Sequence, residues 1–419
     1  MSAASRFRQV GKDATLAGAL LGVAAVGVAA GLAAERYAVN RAKREAEDPF
    51  AHEPFGLLSA DAEHTVTTER GVDLHVEVVE PHGRDRSKPE LTVVFVHGFC
   101  LDMGTWHFQR RGLMGLHDPR IRMVLYDQPG HGRSGTAPTD EYDLDQLGDD
   151  LATVLDAVVP DGPIVLVGHS MGGMTIMSLA ERQPKRFTDR VVGVALMSTS
   201  AGRLDDVGLG LPGPLGKARK PLMPVLVTGL KWRPELVEHG RRAGSDLTYL
   251  LTRRYGFGTE HPSPSLVSYV ERMNAATSMR VIAGYLTTLS QHDRYAALEV
   301  FDGIETLIVY GEEDMLTPPD HSLEMAAALP GAELLPVPDA GHVANMEHAE
   351  LVNEHLTEFL RRAVRSARRP ASKRRLRGGG RDVDPGVAAA AERARQERAA
   401  QAGGTVLARM RKVLRRKGA

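Results

Sequence analysis

The chain has 419 residues, 42% of them hydrophobic and 25% charged, which is too apolar for general disorder and enough for the core of a globular enzyme. The formal net charge of -1 conceals an asymmetry, because Arg361 to Ala419 holds 19 Lys or Arg against four acids, a net of +15 that leaves -16 on the rest. Cys100 is the only cysteine, which excludes an intrachain disulfide framework.

Ala14 to Ala34 runs for 21 residues without a charge, between Asp13 and Glu35. A helix of that length, rising about 1.5 Å per residue, just spans a hydrocarbon core of about 30 Å. Arg36, Arg41, Lys43 and Arg44 follow as a stop-transfer flank, so the run reads as a single uncleaved membrane-anchor helix. The alternatives are a signal peptide cleaved near Gly31-Leu32-Ala33, which would make the protein secreted, and an Ala-rich helix that does not insert. Basic residues on both sides leave the orientation open. Glu45 to Ala62 is charged and contains proline; it reads as a linker that completes an N-terminal unit of residues 1–62.

His64 to Thr68 and Val72 to Glu80 alternate around Glu69-Arg70-Gly71 and predict a β-hairpin that buries Val72, Leu74, Val76 and Val78. Strands and helices then alternate. Continuous apolar runs at Thr92–Val96, Ile121–Tyr126, Ile164–Val167, Val191–Met197, Thr306–Tyr310 and Glu333–Val337 predict strands buried on both faces. Helical stretches lie near Trp106–Leu116, Leu144–Val159, Met171–Glu181, Ser322–Ala328 and Leu351–Arg365. The fold class is therefore α/β, a mostly parallel central sheet with helices on both faces and an antiparallel edge from the hairpin. Residues 203–295 break the rhythm, too long for a simple connection, and read as an inserted, mainly helical cap over the C-terminal strand ends. The core occupies 63–202 and 296–365 on this reading. From 366 to 419 follows a basic tail whose last stretch places Val406, Leu407, Met410, Val413 and Leu414 on one helical face among basic residues. That pattern suits an anionic membrane surface. No aromatic residue lies there to stack on bases, so no nucleic-acid partner is expected.

The stretch that organises the chain is Ile164-Val165-Leu166-Val167-Gly168-His169-Ser170-Met171-Gly172-Gly173, a strand followed by a sharp turn and a helix. A serine in a strained turn needs neighbours without bulk, and Gly168 and Gly172 supply that room. Ser170 alone is a weak nucleophile and needs a base held by an acid. Asp314 sits in the loop after one core strand and His342, preceded by Gly341, in the loop after the next, both at the same sheet edge as Ser170. Glu312 and Glu313 are fallback acids. Acyl transfer also needs two N–H donors for the oxyanion, expected from Met171 and from Phe99 in the His97-Gly98-Phe99 loop. Phe99 doubles as a pocket wall and His169 is a candidate substrate contact, although His97 and His169 otherwise read as hydrogen-bonded turn residues. Cys100 reads as a packed thiol.

His97-Gly98-Phe99, Asp127-Gln128-Pro129-Gly130-His131-Gly132-Arg133-Ser134, Gly168-His169-Ser170-Met171-Gly172-Gly173, Gly311-Glu312-Glu313-Asp314 and Gly341-His342 occur in that order. Together they resemble the ordered motifs of the α/β-hydrolase superfamily, from about Val72 to Arg365. Within it the chain is similar to cap-bearing serine esterases, monoacylglycerol lipases and non-haem peroxidases. Epoxide hydrolases and haloalkane dehalogenases place Asp where this chain has Ser170. The resemblance implies that Asp127 to Ser134 is a structural turn beneath the site. The expected function is cleavage of a lipophilic carboxylic ester by Ser170, His342 and Asp314, without metal or cofactor. The alternatives are an acyltransferase or perhydrolase with the same triad, and a non-catalytic binding protein at the membrane.

Overall fold

The computed structural model describes residues 47–81, 88–137, 142–159, 161–204 and 245–368. The strands are β1 (Ala62–Thr67), β2 (Asp73–Val79), β3 (Leu91–Val96), β4 (Ile121–Tyr126), β5 (Ile164–His169), β6 (Val191–Met197), β7 (Glu305–Gly311) and β8 (Glu333–Val337). They form one sheet in the order β1-β2-β4-β3-β5-β6-β7-β8. β1 pairs antiparallel with β2 and β2 antiparallel with β4, whereas every pairing from β4 across to β8 is parallel. The hairpin therefore forms the expected antiparallel edge, and Val72, Leu74, Val76 and Val78 are all buried.

Continuous hydrophobicity in the central strands has a direct structural consequence. Successive side chains alternate across a strand, so Val94 and Val96 of β3 enter one core while Leu91, Val93 and Phe95 enter the other. The first core packs against α2 (Leu144–Val158) and α3 (Met171–Arg182) through Leu151, Leu155, Ile176 and Leu179. α1 (His107–Leu113) contributes Leu113 to the second core. The last helix described, Ala349–Ala367, adds Val352, Leu356, Phe359, Leu360 and Ala363, a single face at helical spacing. Each buried leucine or phenylalanine contributes roughly 1.5–3 kcal/mol, so helices cover both faces of the sheet and neither can be left open. A six-residue helix, α4 (Pro184–Asp189), was not expected; Pro184 occupies its first turn, where a missing N–H costs nothing.

Between β6 and β7 the chain leaves the sheet. Its described part forms α5 (Ser245–Gly256), α6 (Pro264–Ala276) and α7 (Met279–Ser290). The ends of this insertion meet, since Gly202 bridges Asp293 and the Arg294 N–H donates to the Ala201 carbonyl at 2.6 Å. α8 (Ala297–Val300) leads back to β7, and α9 (Pro319–Ala328) joins β7 to β8.

The reading of 45–62 as a plain linker is corrected for residues 47 to 55. Phe55 stacks on Tyr269 of α6 with ring centroids 4.4 Å apart, and Phe50 lies 5.0 Å from Phe108 of α1. Asp48 accepts from the Ser265 hydroxyl at 2.7 Å, and Glu53 pairs with His107 at 2.7 Å and with Arg111. Two aromatic residues in a charged stretch have found apolar partners, and the segment straps the insertion to the core. The expected anchor helix at 14–34, the first part of the insertion at 205–244 and the basic tail from 369 lie outside the described residues. Among the described residues, no helix is long and apolar enough to cross a membrane.

Candidate active site

In a parallel sheet the loops after β5, β7 and β8 leave from the same edge, which brings Ser170, Asp314 and His342 together. Ser170 follows β5 at φ 52° and ψ -120°, a strained backbone for a residue with a side chain. It persists because its surroundings fix it. The Ser170 N–H donates to the Met197 carbonyl at 2.9 Å, and its carbonyl accepts from the Thr199 hydroxyl at 2.6 Å. The flanking glycines are sterically required: a Cβ on Gly172 would lie 2.0 Å from the Val96 carbonyl oxygen, and one on Gly168 would lie 2.6 Å from the Gly173 nitrogen.

The three side chains form one hydrogen-bonded line. Ser170 Oγ is 2.9 Å from His342 Nε2, and His342 Nδ1 is 2.9 Å from Asp314 Oδ2. An ionised carboxylate only accepts, so Nδ1 carries the proton and Nε2 is free to accept from the serine hydroxyl. Asp314 also accepts from the Leu316 and Thr317 N–H groups at 2.8 and 3.0 Å and from the Thr317 hydroxyl at 2.8 Å. Burial by itself would raise its pKa, but the neighbouring His342 imidazole and the Thr317 donors outweigh burial and hold the carboxyl below its ordinary value. Glu312 and Glu313 are exposed, so the fallback acids are set aside in favour of buried Asp314.

Phe99 and Met171 frame Ser170. Met171 opens α3, where the first N–H groups have no partner inside the helix. Among the described residues neither the Phe99 nor the Met171 N–H is taken up by another hydrogen bond. Gly98 allows the approach, since a Cβ there would stand 3.1 Å from Ser170 Cβ. The Phe99 ring, half-buried, lies 6.1 Å from Tyr285 of α7 and packs against an apolar cluster that includes Met171, Met174 and Val281.

The loop carrying Phe99 is held by the turn from Asp127 to Ser134. His97 Nδ1–H donates to the Gly98 carbonyl at 2.8 Å, and its Nε2 accepts the Gln128 N–H at 2.8 Å. Gln128 in turn donates to the His97 carbonyl at 2.7 Å and accepts from Thr175 of α3 at 2.8 Å. His131 Nε2 accepts the Cys100 N–H at 3.1 Å. Burial keeps both imidazoles neutral, pushing His131 down to about 4 and His97 well below its ordinary value. Asp127 accepts the Met103 and Arg133 N–H groups, both at 2.8 Å, while burial first and nearby Asp102 second push its carboxyl up to about 7.

His169 is corrected as a substrate contact. It is fully buried, with Nε2–H donating to the His342 carbonyl at 2.8 Å, and burial followed by its imidazole neighbour pushes it down to about 3. It holds the backbone of His342 from behind. Cys100 is half-buried at φ 58°. Gln128 lay within the turn expected beneath the site, but its particular role was not foreseen, and sequence reasoning missed Glu347, which accepts the Gly341 N–H at 2.8 Å. Gln128 reaches the His97 carbonyl and Glu347 the Gly258 and Thr259 N–H groups, all distant in the chain, and for Glu347 only its proximity to His342 in sequence hinted at a role.

Residues 92–349 match the family model described as alpha/beta hydrolase fold. The dihydrolipoyllysine-residue acetyltransferase component of the acetoin cleaving system of Pseudomonas putida is 28% identical over 271 residues, 64% of this chain. This chain spans 63% of that relative's length. A 2-hydroxy-6-oxononadienedioate/2-hydroxy-6-oxononatrienedioate hydrolase of a Pseudomonas species is 27% identical over 323 residues, covering 70% of this chain and 99% of that protein. Among solved structures, an esterase from Thermogutta terrifontis superposes with a TM-score of 0.54 at 23% identity, over 72% of this chain and 99% of that one, a likeness of fold alone.

Proposed function

We infer that this chain, which belongs to the α/β-hydrolase fold family, is a serine hydrolase that cleaves carboxylic esters through an acyl-enzyme on Ser170. The observation that carries this reading is the continuous line from Ser170 Oγ through the His342 imidazole to the Asp314 carboxylate. His342 Nε2 takes the hydroxyl proton as Ser170 Oγ bonds to the ester carbonyl carbon, and the resulting imidazolium is stabilised by ionised Asp314. The oxyanion accepts from the Phe99 and Met171 N–H groups. Collapse breaks the ester C–O bond, and the imidazolium returns the proton to the departing alcohol. Water, deprotonated by the same imidazole, then attacks the acyl carbon and frees the acid and Ser170.

The apolar surroundings of Phe99, with Met174, Val281 and Tyr285, support a lipophilic acyl group. Transfer of the acyl group to an acceptor other than water uses the same residues, and the likeness to an acetyltransferase component supports keeping it as the second reading. A fluorophosphonate probe tests the mechanism. The wild type is expected to label, and Ser170→Ala to lose labelling together with a factor on the order of 10⁴–10⁶ in ester turnover. An unlabelled wild type, or undiminished labelling of the variant, overturns it. Product analysis over esters of increasing chain length, with and without added alcohol, separates hydrolysis from transfer and sets the preferred acyl group.

A further inference from the structure

Glu347 lies five residues beyond His342, at the end of α10 (Ala344–Glu347). Its carboxylate accepts three backbone N–H groups: Gly341 at 2.8 Å, Gly258 at 3.0 Å and Thr259 at 2.8 Å. The first belongs to the residue before the triad histidine. The other two belong to the loop that follows α5 in the insertion.

These two backbones touch. A Cβ on Gly258 would lie 2.4 Å from the Ala340 carbonyl carbon, and one on Gly341 would lie 2.5 Å from the Phe257 carbonyl carbon, so only glycine permits the approach. On the other side of His342, the Val343 N–H donates to the Gly256 carbonyl at 3.0 Å. The histidine is thus flanked by residues tied to the insertion on both sides, while its own carbonyl is held by His169.

We propose that Glu347 is a positioning residue that fixes the backbone of His342 against the insertion and so sets the alignment of the imidazole with Ser170. The proposal rests on the reading of His342 as the general base. A carboxylate accepting three N–H groups makes bonds roughly twice as strong as neutral ones. Without them Gly341 can shift, and a displacement on the order of 1 Å costs about 100-fold in rate.

Glu347→Gln tests this. Its amide oxygen can still accept, but its NH₂ faces N–H donors. Sites are counted by fluorophosphonate titration, and ester turnover is expressed per titrated site, so that a fold defect lowers the count and a positioning defect lowers the rate. The expected result is a fall in kcat per titrated site of about 10-fold or more with KM within twofold, and an intermediate fall in Glu347→Asp, which keeps the charge on a shorter side chain. A rate per site within twofold of the wild type overturns the proposal, whatever the count. If Glu347→Gln yields no titratable sites, Glu347→Asp decides by the same criterion. A wild type that takes up no phosphonate removes the serine mechanism and this role with it, whereas a labelled wild type with unaffected variants removes only this role.

Discussion

The loop that carries Phe99 takes its backbone hydrogen bonds from the core, whereas the loop that carries His342 takes them from the core and the insertion together. The first is pinned by the core: two buried neutral imidazoles and Asp127 take up the N–H groups of Gln128, Cys100 and Met103. The second is pinned by His169 of β5 through the His342 carbonyl and, in addition, by the insertion through Glu347 and the loop after α5. The acids differ in the same way. Asp127, with no imidazolium or guanidinium bonded to it, is pushed up to about 7 by burial, whereas Asp314, facing His342, stays below its ordinary value. On the proposed mechanism, the half of the site that would receive developing charge is built into the sheet, and the half that would move protons is referenced in part to the insertion.

The largest expected effect comes from breaking the core-held half. In Gly172→Ala the new methyl would collide with the Val96 and His97 carbonyl oxygens, at 2.0 and 2.7 Å, and drive α3 off β3. A loss of about 3 kcal/mol or more in urea unfolding is expected, with loss of phosphonate labelling; wild-type values for both would mean that this half is not rigid.

Asp127→Asn sharpens the comparison. An amide replaces one of two acceptor oxygens, leaving a buried N–H without a partner, at a cost of about 1–3 kcal/mol. The pH dependence carries a sign. Between the ordinary value of 3.8 and about 7, folded Asp127 retains a proton that the unfolded chain has released, so stability falls as pH rises through that window. Urea unfolding at pH 5 and 8 is expected to show a shallower fall in the variant and a stability gap that is widest at pH 5. Asp150, pushed up to about 6 by burial, keeps part of the slope. An unchanged slope assigns the effect to another group. Asp314 acts in the opposite sense, stabilising above its ordinary value and losing that contribution only as pH falls through its lowered one.

The smallest effect belongs to the strap. Glu53→Gln keeps a bond to His107 and loses the charge facing half-exposed Arg111, a change of about 0.5–1 kcal/mol in unfolding free energy. A drop well beyond that would show that the strap, rather than Glu347, dominates the seating of the insertion.

The strands and the meeting of Ser170, His342 and Asp314 were legible in the sequence because their signals are local. β3 and β5 are unbroken apolar runs, and Ser170, Asp314 and His342 each sit directly after a strand beside glycine or in a short loop. The hairpin edge followed from alternation at Val72 to Val78. What the sequence hid depends on contacts between distant segments. Nothing near Gln128 announces that it joins the Phe99 loop to α3, and the acceptor role of Glu347 exists only once Gly258 and Gly341 meet. Phe50 and Phe55 did carry a signal, two rings in an otherwise charged stretch, but their partners Phe108 and Tyr269 lie in distant segments of the chain. His169 misled because adjacency to Ser170 in sequence is not adjacency to substrate: at the end of a strand the preceding side chain points the other way, into the protein.

The bridge between Gly202 and Asp293, with Arg294 bonded to Ala201, makes the insertion depart and return at a single point. β6 and β7 pair in parallel beside that junction. Chain exchanged between Gly202 and Asp293 leaves the sheet junction in place, but the exchanged segment has to bring its own equivalents of Gly256, Gly258 and Thr259, because those residues meet the loop that carries His342.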